Sequence, residues 1–120
     1  MNAVNYVIQH TYDFEHKVWS RAHQENIALV AMKVLGGMHR QNEFKLPEES
    51  YVKAIRYVLS LPGMACAVIG VKSVGELEKA AHTIATSRPL SIAELHDLAD
   101  EGLKLAVTPD WQAAYGKPLT

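Results

Sequence analysis

Two short apolar runs alternate along the chain with segments that have a helical repeat. The runs cover 27–32 and 65–69, and each is bounded by polar residues, glycine or proline. A continuous apolar run of this length is typical of a parallel strand that helices cover on both faces. The sequence therefore predicts two buried parallel strands.

The segments around these runs repeat apolar residues every three or four positions, which predicts helices with one buried face. The helices begin near Asp13, Pro47, Ser73 and Ser91. The last two starts have the form of a capping box, in which a serine hydroxyl accepts from the backbone and a glutamate reaches back. The predicted buried faces comprise Phe14, Val18, Trp19 and Ala22; Val52, Ile55 and Leu59; Leu77, Ala80, Ala81 and Ile84; and Leu95, Leu98 and Leu103.

Three segments lack a repeat and are predicted to be irregular: a leading loop over 1–12, a polar loop over 38–46, and a short tail after Pro109 that holds Trp111 and Tyr115. In the polar loop, the candidate ligand contacts are His39, Arg40, Asn42 and Lys45. A solvated loop without a ligand is the alternative for this segment.

The predicted order of elements is helix, strand, helix, strand, helix, helix and tail. Such alternation predicts an α/β fold with parallel strands and right-handed crossovers. Two parallel strands with three to four helices form too small a sheet to cover every apolar helix face. The 120 residues have the size of one domain, whereas a complete (β/α)8 barrel needs roughly 250. We therefore predict a single domain over 1–120 with an incomplete sheet.

Composition and charge narrow the choice of partners. The formal net charge is −1 and no basic stripe is present, so the sequence offers nothing for a nucleic-acid backbone. The longest apolar stretches fall far short of the ~20 residues of a membrane span, and the first residues do not resemble a signal peptide. We expect a cytoplasmic protein. Its one cysteine, Cys66, lies in an apolar run and is predicted to be a small core residue rather than a nucleophile.

Candidate chemistry lies in the two loops after the predicted strands, because ligands of parallel α/β folds bind beyond the carboxyl ends of the strands. In the second loop, Gly70 leaves room for a ligand, Lys72 adds positive charge, and Ser73 opens a helix whose free N–H groups favour an anion. These residues predict a phosphate pocket, with helix capping alone as the alternative. The first loop, over 32–37, is the second candidate, although its two glycines also fit an ordinary turn.

Four segments share their order and spacing with a known family: VAMKVLGG at 30–37, AIRYVLSLPG at 54–63, AVIGVKSVGELE at 67–78 and PLSIAEL at 89–95. They resemble the C-terminal part of the aldo-keto reductases. That family folds as a (β/α)8 barrel and reduces aldehydes and ketones with NADPH. The resemblance implies a partial TIM barrel that covers the last strand–helix units, with residues 2–5 in the loop just after strand six.

The resemblance also implies part of an NADPH site in the first loop. Met32 stands where many members have a tyrosine that stacks on the nicotinamide. A thioether can pack in that place, but the ring stacking is lost. Lys33, Leu35 and Gly36 match the loop that folds over the pyrophosphate.

In the second loop, the implied site continues towards the adenosine. Lys72 and Ser73 match the residues that hold the 2′-phosphate of NADPH, and Glu76 lies where a side chain often reaches the adenosine. Ala80 departs from the asparagine that contacts the adenine in many members.

The catalytic residues of the family have no counterpart here. Its aspartate, tyrosine, lysine and histidine lie in the first half of the barrel, and Tyr51 and Lys53 are predicted to be a core-facing ring and a solvated charge. None of the six histidines stands at a metal-ligand spacing, so no metal site is predicted. Without an acid to protonate the forming alkoxide, we expect no hydride transfer by this chain alone.

Three hypotheses follow from these observations. The first is a reductase fragment with a partial NADPH site and no activity of its own. The second is a binding module that holds NADP or another phosphate ligand without chemistry. The third is a structural homo-oligomer that joins through exposed strand edges, since the barrel-facing sides of 27–34 and 65–71 lack partners in a single chain.

Overall fold

The fold is built on a small parallel sheet, seen in a computed structural model that describes residues 1–39 and 42–119. Five strands lie in this part of the chain: β1 (Asn2–Ala3), β2 (Leu29–Met32), β3 (Gly36–His39), β4 (Asn42–Lys45) and β5 (Met64–Ala67). β1, β2 and β5 form one parallel sheet in that order, and β3 and β4 form a separate antiparallel hairpin. The α/β class is confirmed, with a third parallel strand that periodicity did not indicate.

Helices connect the parallel strands and then follow β5 in series. The α-helices are α1 (Ser20–Gln24), α2 (Tyr51–Leu59), α3 (Val74–Thr86), α4 (Ile92–Ala106) and α5 (Pro109–Tyr115). A π-helical turn over Glu15–Trp19 leads into α1, and short 3-10 turns cover Ile8–His10 and Glu48–Ser50. The predicted helices are therefore present, although those predicted from Asp13 and Pro47 begin with turns that are not α-helical.

Side-chain caps fix the starts of the two long helices. Ser91 Oγ accepts from Glu94 N at 3.2 Å, and the Glu94 carboxylate accepts from Ser91 N at 2.8 Å, which completes the predicted capping box of α4. At α3, Ser73 Oγ accepts from Glu76 N, but the Glu76 carboxylate bonds to the N–H of Lys72 instead of Ser73. The box at α3 is thus shifted by one residue.

The predicted polar loop over 38–46 is wrong, because most of it belongs to a hairpin. β3 pairs with β4 through four residue pairs. Phe44 turns inward and packs edge-on against Trp111, with ring centroids 5.0 Å apart. The single buried ring of Phe44 gives this hairpin an inner face. A strand of four residues with one buried side chain is too short to show an alternation of apolar and polar residues in the sequence. The candidate contact Arg40 lies outside the described residues.

Both outer segments of the chain contribute to the core. The leading segment is largely irregular, as predicted, apart from β1 and one helical turn, whereas the predicted irregular tail is wrong because most of it is α5. The leading segment supplies β1 and the fully buried Tyr6. The tail forms α5, whose buried Trp111 and Tyr115 stack with ring centroids 4.2 Å apart. Trp111 Nε1 donates to Thr11 Oγ1 at 2.8 Å and joins the two segments. Aromatic burial fixes them, which a search for helical or strand repeats does not detect.

The predicted helix faces are only partly buried. Ile55, Ala80 and Leu98 lie in the core, but Leu77 and Ile84 of α3 are 55% and 52% exposed. Other apolar residues of the predicted faces that are exposed are Val18, Val52, Leu59, Ala81 and Leu103. The three-stranded sheet is too small to cover whole helix faces.

The prediction that Cys66 is a core residue is also wrong. Cys66 is exposed, as is Ala65 beside it on β5. β5 is an outer strand of the sheet, so one of its edges and part of its surface have no cover from the described residues. The apolar run over 65–69 predicted a strand buried on both faces. In the structure β5 lies at the edge of the sheet and is only partly covered.

Candidate functional site

The carboxyl ends of β2 and β5 open into one cavity of about 460 Å³. Parallel strands direct these ends to the same edge of a sheet, which explains why two loops distant in sequence meet here. The cavity is lined by 32–37 after β2, by 68–72 after β5, and by Glu43, Lys45 and Tyr51 from β4 and α2. Of the residues predicted to contact a cofactor, it brings together Met32, Lys33, Leu35, Gly36, Gly70 and Lys72.

The wall of the cavity carries a net positive charge. Lys33, Lys45 and Lys72 line it together with one carboxylate, Glu43. Lys72 Nζ lies 3.9 Å from Glu43 Oε1, a distance at which the ion pair is weak and exposed to solvent. Lysine ammonium groups around a concave surface attract phosphate or carboxylate groups.

Lys45 lies in the cavity wall because the β3–β4 hairpin, to which it belongs, packs beside the cavity. Sequence reasoning placed Lys45 in a polar loop without linking it to the strand ends. The hydroxyl of Tyr51 beside its ammonium group, with a smaller effect of the Glu76 carboxylate, raises the pKa of Lys45 above its ordinary value. The ammonium group therefore stays charged throughout the neutral range.

Ser73 and Glu76 lie beside the cavity, at the start of α3. Ser73 Oγ accepts from Glu76 N at 3.2 Å, and Glu76 Oε2 accepts from Lys72 N at 2.7 Å. Ser73, a predicted phosphate contact, and Glu76, a predicted adenosine contact, are thus both engaged at the start of their own helix. A phosphate that approaches Lys72 therefore finds the backbone N–H of this residue already bonded to the Glu76 carboxylate.

Met32 and Gly70 mark the two ends of the strands at the cavity. Met32 is half-buried at the last position of β2, with its thioether available to pack against a flat apolar group. Gly70 is exposed, and a Cβ atom added there would meet nothing within 4 Å. The absence of a side chain at Gly70 therefore leaves open space next to the lysines and is not required by packing within the chain.

Lys33 holds an uncommon backbone conformation at the floor of the cavity. Its φ of 59° lies in the left-handed region, which residues with a side chain seldom adopt. Its carbonyl accepts from Gly36 N at 3.0 Å, which closes a tight turn, and from Asn5 Nδ2 at 2.9 Å. Asn5 was not predicted as a site residue. The one feature of the sequence that points to it is the tendency of asparagine to bond to nearby backbone where a strand ends.

A second polar cluster lies away from the cavity. Glu101 accepts from Lys53 Nζ at 2.7 Å and from the hydroxyl of the fully buried Tyr6 at 3.0 Å. Partial burial opposes ionisation of Glu101, but the bonds from Lys53 and Tyr6 outweigh it and lower the pKa of Glu101. Lys53 is thus half-buried in an ion pair and not the solvated charge that was predicted.

Within residues 1–39 and 42–119, no group of three or more histidine, cysteine, aspartate or glutamate side chains is placed to hold a metal ion. No helix in the same ranges is long and apolar enough to cross a membrane. No family model, curated protein or solved structure matches this chain.

Proposed function

We propose that this chain is the C-terminal portion of an aldo-keto reductase-like barrel, and that its cavity binds the phosphate groups of NADPH. The proposal rests on one observation above all. Six of the eight residues predicted to contact the cofactor line one cationic cavity at the carboxyl ends of parallel strands. Binding sites of barrel enzymes are built at this end of their strands.

The strand order also supports a piece of a barrel. β1, β2 and β5 lie side by side in the order in which they occur along the chain, and every pairing is parallel. Successive strands of a (β/α)8 barrel have this arrangement. In a closed barrel the outer edges of β1 and β5 would pair with further strands.

The residues around the cavity fit the phosphate groups of NADPH better than its ring systems. Lys72 and Ser73 would hold the 2′-phosphate, and Lys33, with Leu35 and Gly36, would lie along the pyrophosphate. Met32 offers an apolar contact to the nicotinamide in place of an aromatic ring. Bound NADPH would supply a hydride, and Met32, Lys33, Leu35, Gly36, Lys72 and Ser73 would bind and orient the cofactor.

No residue of this chain matches the one that protonates the substrate oxygen in the aldo-keto reductases. Tyr6 is fully buried against Glu101 and does not reach the cavity. We therefore propose that the chain binds NADPH without reducing a carbonyl compound alone. Consumption of NADPH in the presence of an aldehyde would contradict this, and Tyr51, which lines the cavity, would then be the first residue to replace.

A titration with NADPH and, separately, NADH tests the binding proposal. Fluorescence of the cofactor and of Trp19 and Trp111 reports saturation. We expect NADPH to bind more tightly than NADH, and Lys72→Glu to weaken NADPH binding by at least tenfold, about the worth of one charge-assisted phosphate contact. Lys117→Glu, an equal change of charge at an exposed position outside the cavity, should have little effect. Equal affinity of the parent and Lys72→Glu would reject the phosphate site.

A structural homo-oligomer is the second candidate, favoured by the uncovered surface of β5. Val68 and Val71, just after this strand, are 49% and 41% exposed, and Cys66 on the strand is exposed as well. Outer strands with apolar residues tend to pair with another chain. In this case the cavity would have no ligand, and Lys72→Glu would leave the oligomer unchanged.

A further inference from the structure

Asn5 lies where β1 ends and connects that strand to the cavity loop. The parallel ladder continues past β1 for one bond, from Val4 N to Met32 O at 2.9 Å. The backbone then turns away into the Ile8–His10 helical turn. At this point the side chain of Asn5 takes over, because its Nδ2 donates to the carbonyl of Lys33 at 2.9 Å.

The oxygen of the Asn5 side-chain amide bonds to the backbone that follows Asn5 in the chain. Asn5 Oδ1 accepts from Val7 N at 3.0 Å and from Ile8 N at 2.9 Å. Asn5 is fully buried, so water cannot readily replace any of these partners. The amide is therefore fixed on its own segment by its oxygen and on the cavity loop by its nitrogen.

The group that Asn5 holds is the strained residue of the cavity. A left-handed conformation at a residue with a Cβ atom persists only when surrounding contacts enforce it. Asn5 Nδ2 and Gly36 N both donate to the Lys33 carbonyl, and the bond from Gly36 N closes the turn 33–36. This turn sets where Lys33 and Leu35 enter the cavity wall.

We propose that Asn5 is a positioning residue for the cavity: its side-chain amide holds Lys33 in the left-handed conformation that ligand binding requires. The inference rests on the proposed function, since it assigns a role in that same site. It separates two tasks of one side chain. The oxygen serves the leading segment, and the nitrogen serves the cavity.

Asn5→Asp tests this division because it removes the N–H donor and keeps an oxygen acceptor, although it also places a negative charge at a buried position. The carboxylate keeps an oxygen for Val7 N and Ile8 N but has no N–H for the Lys33 carbonyl. Amide hydrogen exchange, followed by NMR, reports each partner separately. We expect exchange at Gly36 N to accelerate and the NADPH dissociation constant to rise, each by about tenfold, as for the loss of one buried hydrogen bond. Exchange at Ile8 N should stay within about twofold of the parent, because its acceptor is kept.

Two further variants keep the test decisive. Asn26→Asp makes the same chemical change at an exposed position outside the cavity and should alter neither measurement. If Asn5→Asp does not fold, Asn5→Ser retains a short acceptor for the leading segment and still cannot reach Lys33.

The outcomes separate this inference from the proposed function. Unchanged exchange at Gly36 in a folded Asn5 variant would show that Asn5 does not hold the turn. Faster exchange with unchanged NADPH affinity would show that the turn does not position the site, and either result overturns the inference alone. If the parent chain binds no NADPH, the proposed function fails and the positioning role fails with it.

Discussion

At the scale of single residues, the charge of Glu76 opposes the anion that we propose the neighbouring lysines bind. Its carboxylate accepts from the N–H of Lys72 at 2.7 Å, next to the proposed phosphate contact. It also contributes to the raised pKa of Lys45, another lysine of the cavity wall. The same carboxylate at the start of α3 therefore competes with an incoming anion for the backbone N–H of Lys72 and for the charge of Lys45.

Replacing Glu76 by glutamine should strengthen anion binding. The amide oxygen of glutamine can still accept from Lys72 N, so the helix start keeps its cap while the charge is lost. We expect NADPH to bind about fourfold more tightly, the order for removing one charge about 5 Å away in water. Glu78→Gln removes an equal charge from an exposed position on α3 outside the cavity and is the control in the same titration. Weaker binding by Glu76→Gln would indicate that Glu76 contacts the ligand itself.

Gly36 is a second residue at which the backbone sets a firm requirement. Its φ is +86°, and a Cβ atom there would lie 2.3 Å from the carbonyl oxygen of Phe44 across the hairpin. We expect Gly36→Ala to lower the free energy of unfolding by about 3 kcal/mol through the combined strain and clash. Gly63 has a φ of +76° but open space, so Gly63→Ala should lose only about 1 kcal/mol. Urea denaturation measures both, and equal losses would show that the hairpin yields at Phe44.

At the scale of elements, the sequence predicted the starts of the two long helices correctly but not which of their sides are buried. The starts of α3 and α4 follow from Ser73 and Ser91, because a cap is a bond between neighbours in sequence. The side of a helix that becomes buried depends on what covers it. On α3 the buried residues include Thr83, while Leu77 remains exposed. A hydrophobic repeat therefore predicted that α3 exists but not how it packs.

The cluster around Glu101 joins three elements and should make stability depend on pH. Glu101 on α4 bonds to Lys53 of α2 and to Tyr6 of the leading segment, and these bonds lower its pKa in the folded chain. A carboxyl group with a lowered folded pKa stabilises the fold above its unfolded pKa, and this stability is lost as the pH falls through the folded value.

We therefore expect the free energy of unfolding to decrease as the pH is lowered below about 4.3, the ordinary value for glutamate. Glu101→Gln should be less stable than the parent at neutral pH and should show a smaller decrease on acidification. Part of the decrease should remain, because the pKa values of Asp13 and Glu94 are also lowered by their partners. Urea denaturation at neutral and acidic pH measures both slopes. Parallel slopes for parent and variant would exclude Glu101 as a source of the dependence.

At the scale of the whole molecule, the sequence predicted the strands that define the cavity but not all of its walls. Met32 ends one apolar run and Lys72 follows the other. Because parallel strand ends meet at one edge of a sheet, the proximity of these two residues could be deduced. Lys45 and Asn5 could not be placed in this way. One reaches the cavity through a hairpin and the other through a side-chain bond, and neither leaves a periodic signal in sequence.

The uncovered edge and surface of β5 lead to a prediction about assembly. In a single chain Cys66 is exposed, so a maleimide should label it quickly; if chains pair along β5, labelling should be slow until the protein is unfolded. We expect sedimentation velocity to show a dimer or larger species. Val68→Lys should shift it towards monomer, because charge on an outer strand opposes pairing. Val107→Lys, at another exposed valine, should leave it unchanged. A compact monomer with rapidly labelled Cys66 and one cooperative melting transition would instead mean that this incomplete sheet is stable by itself.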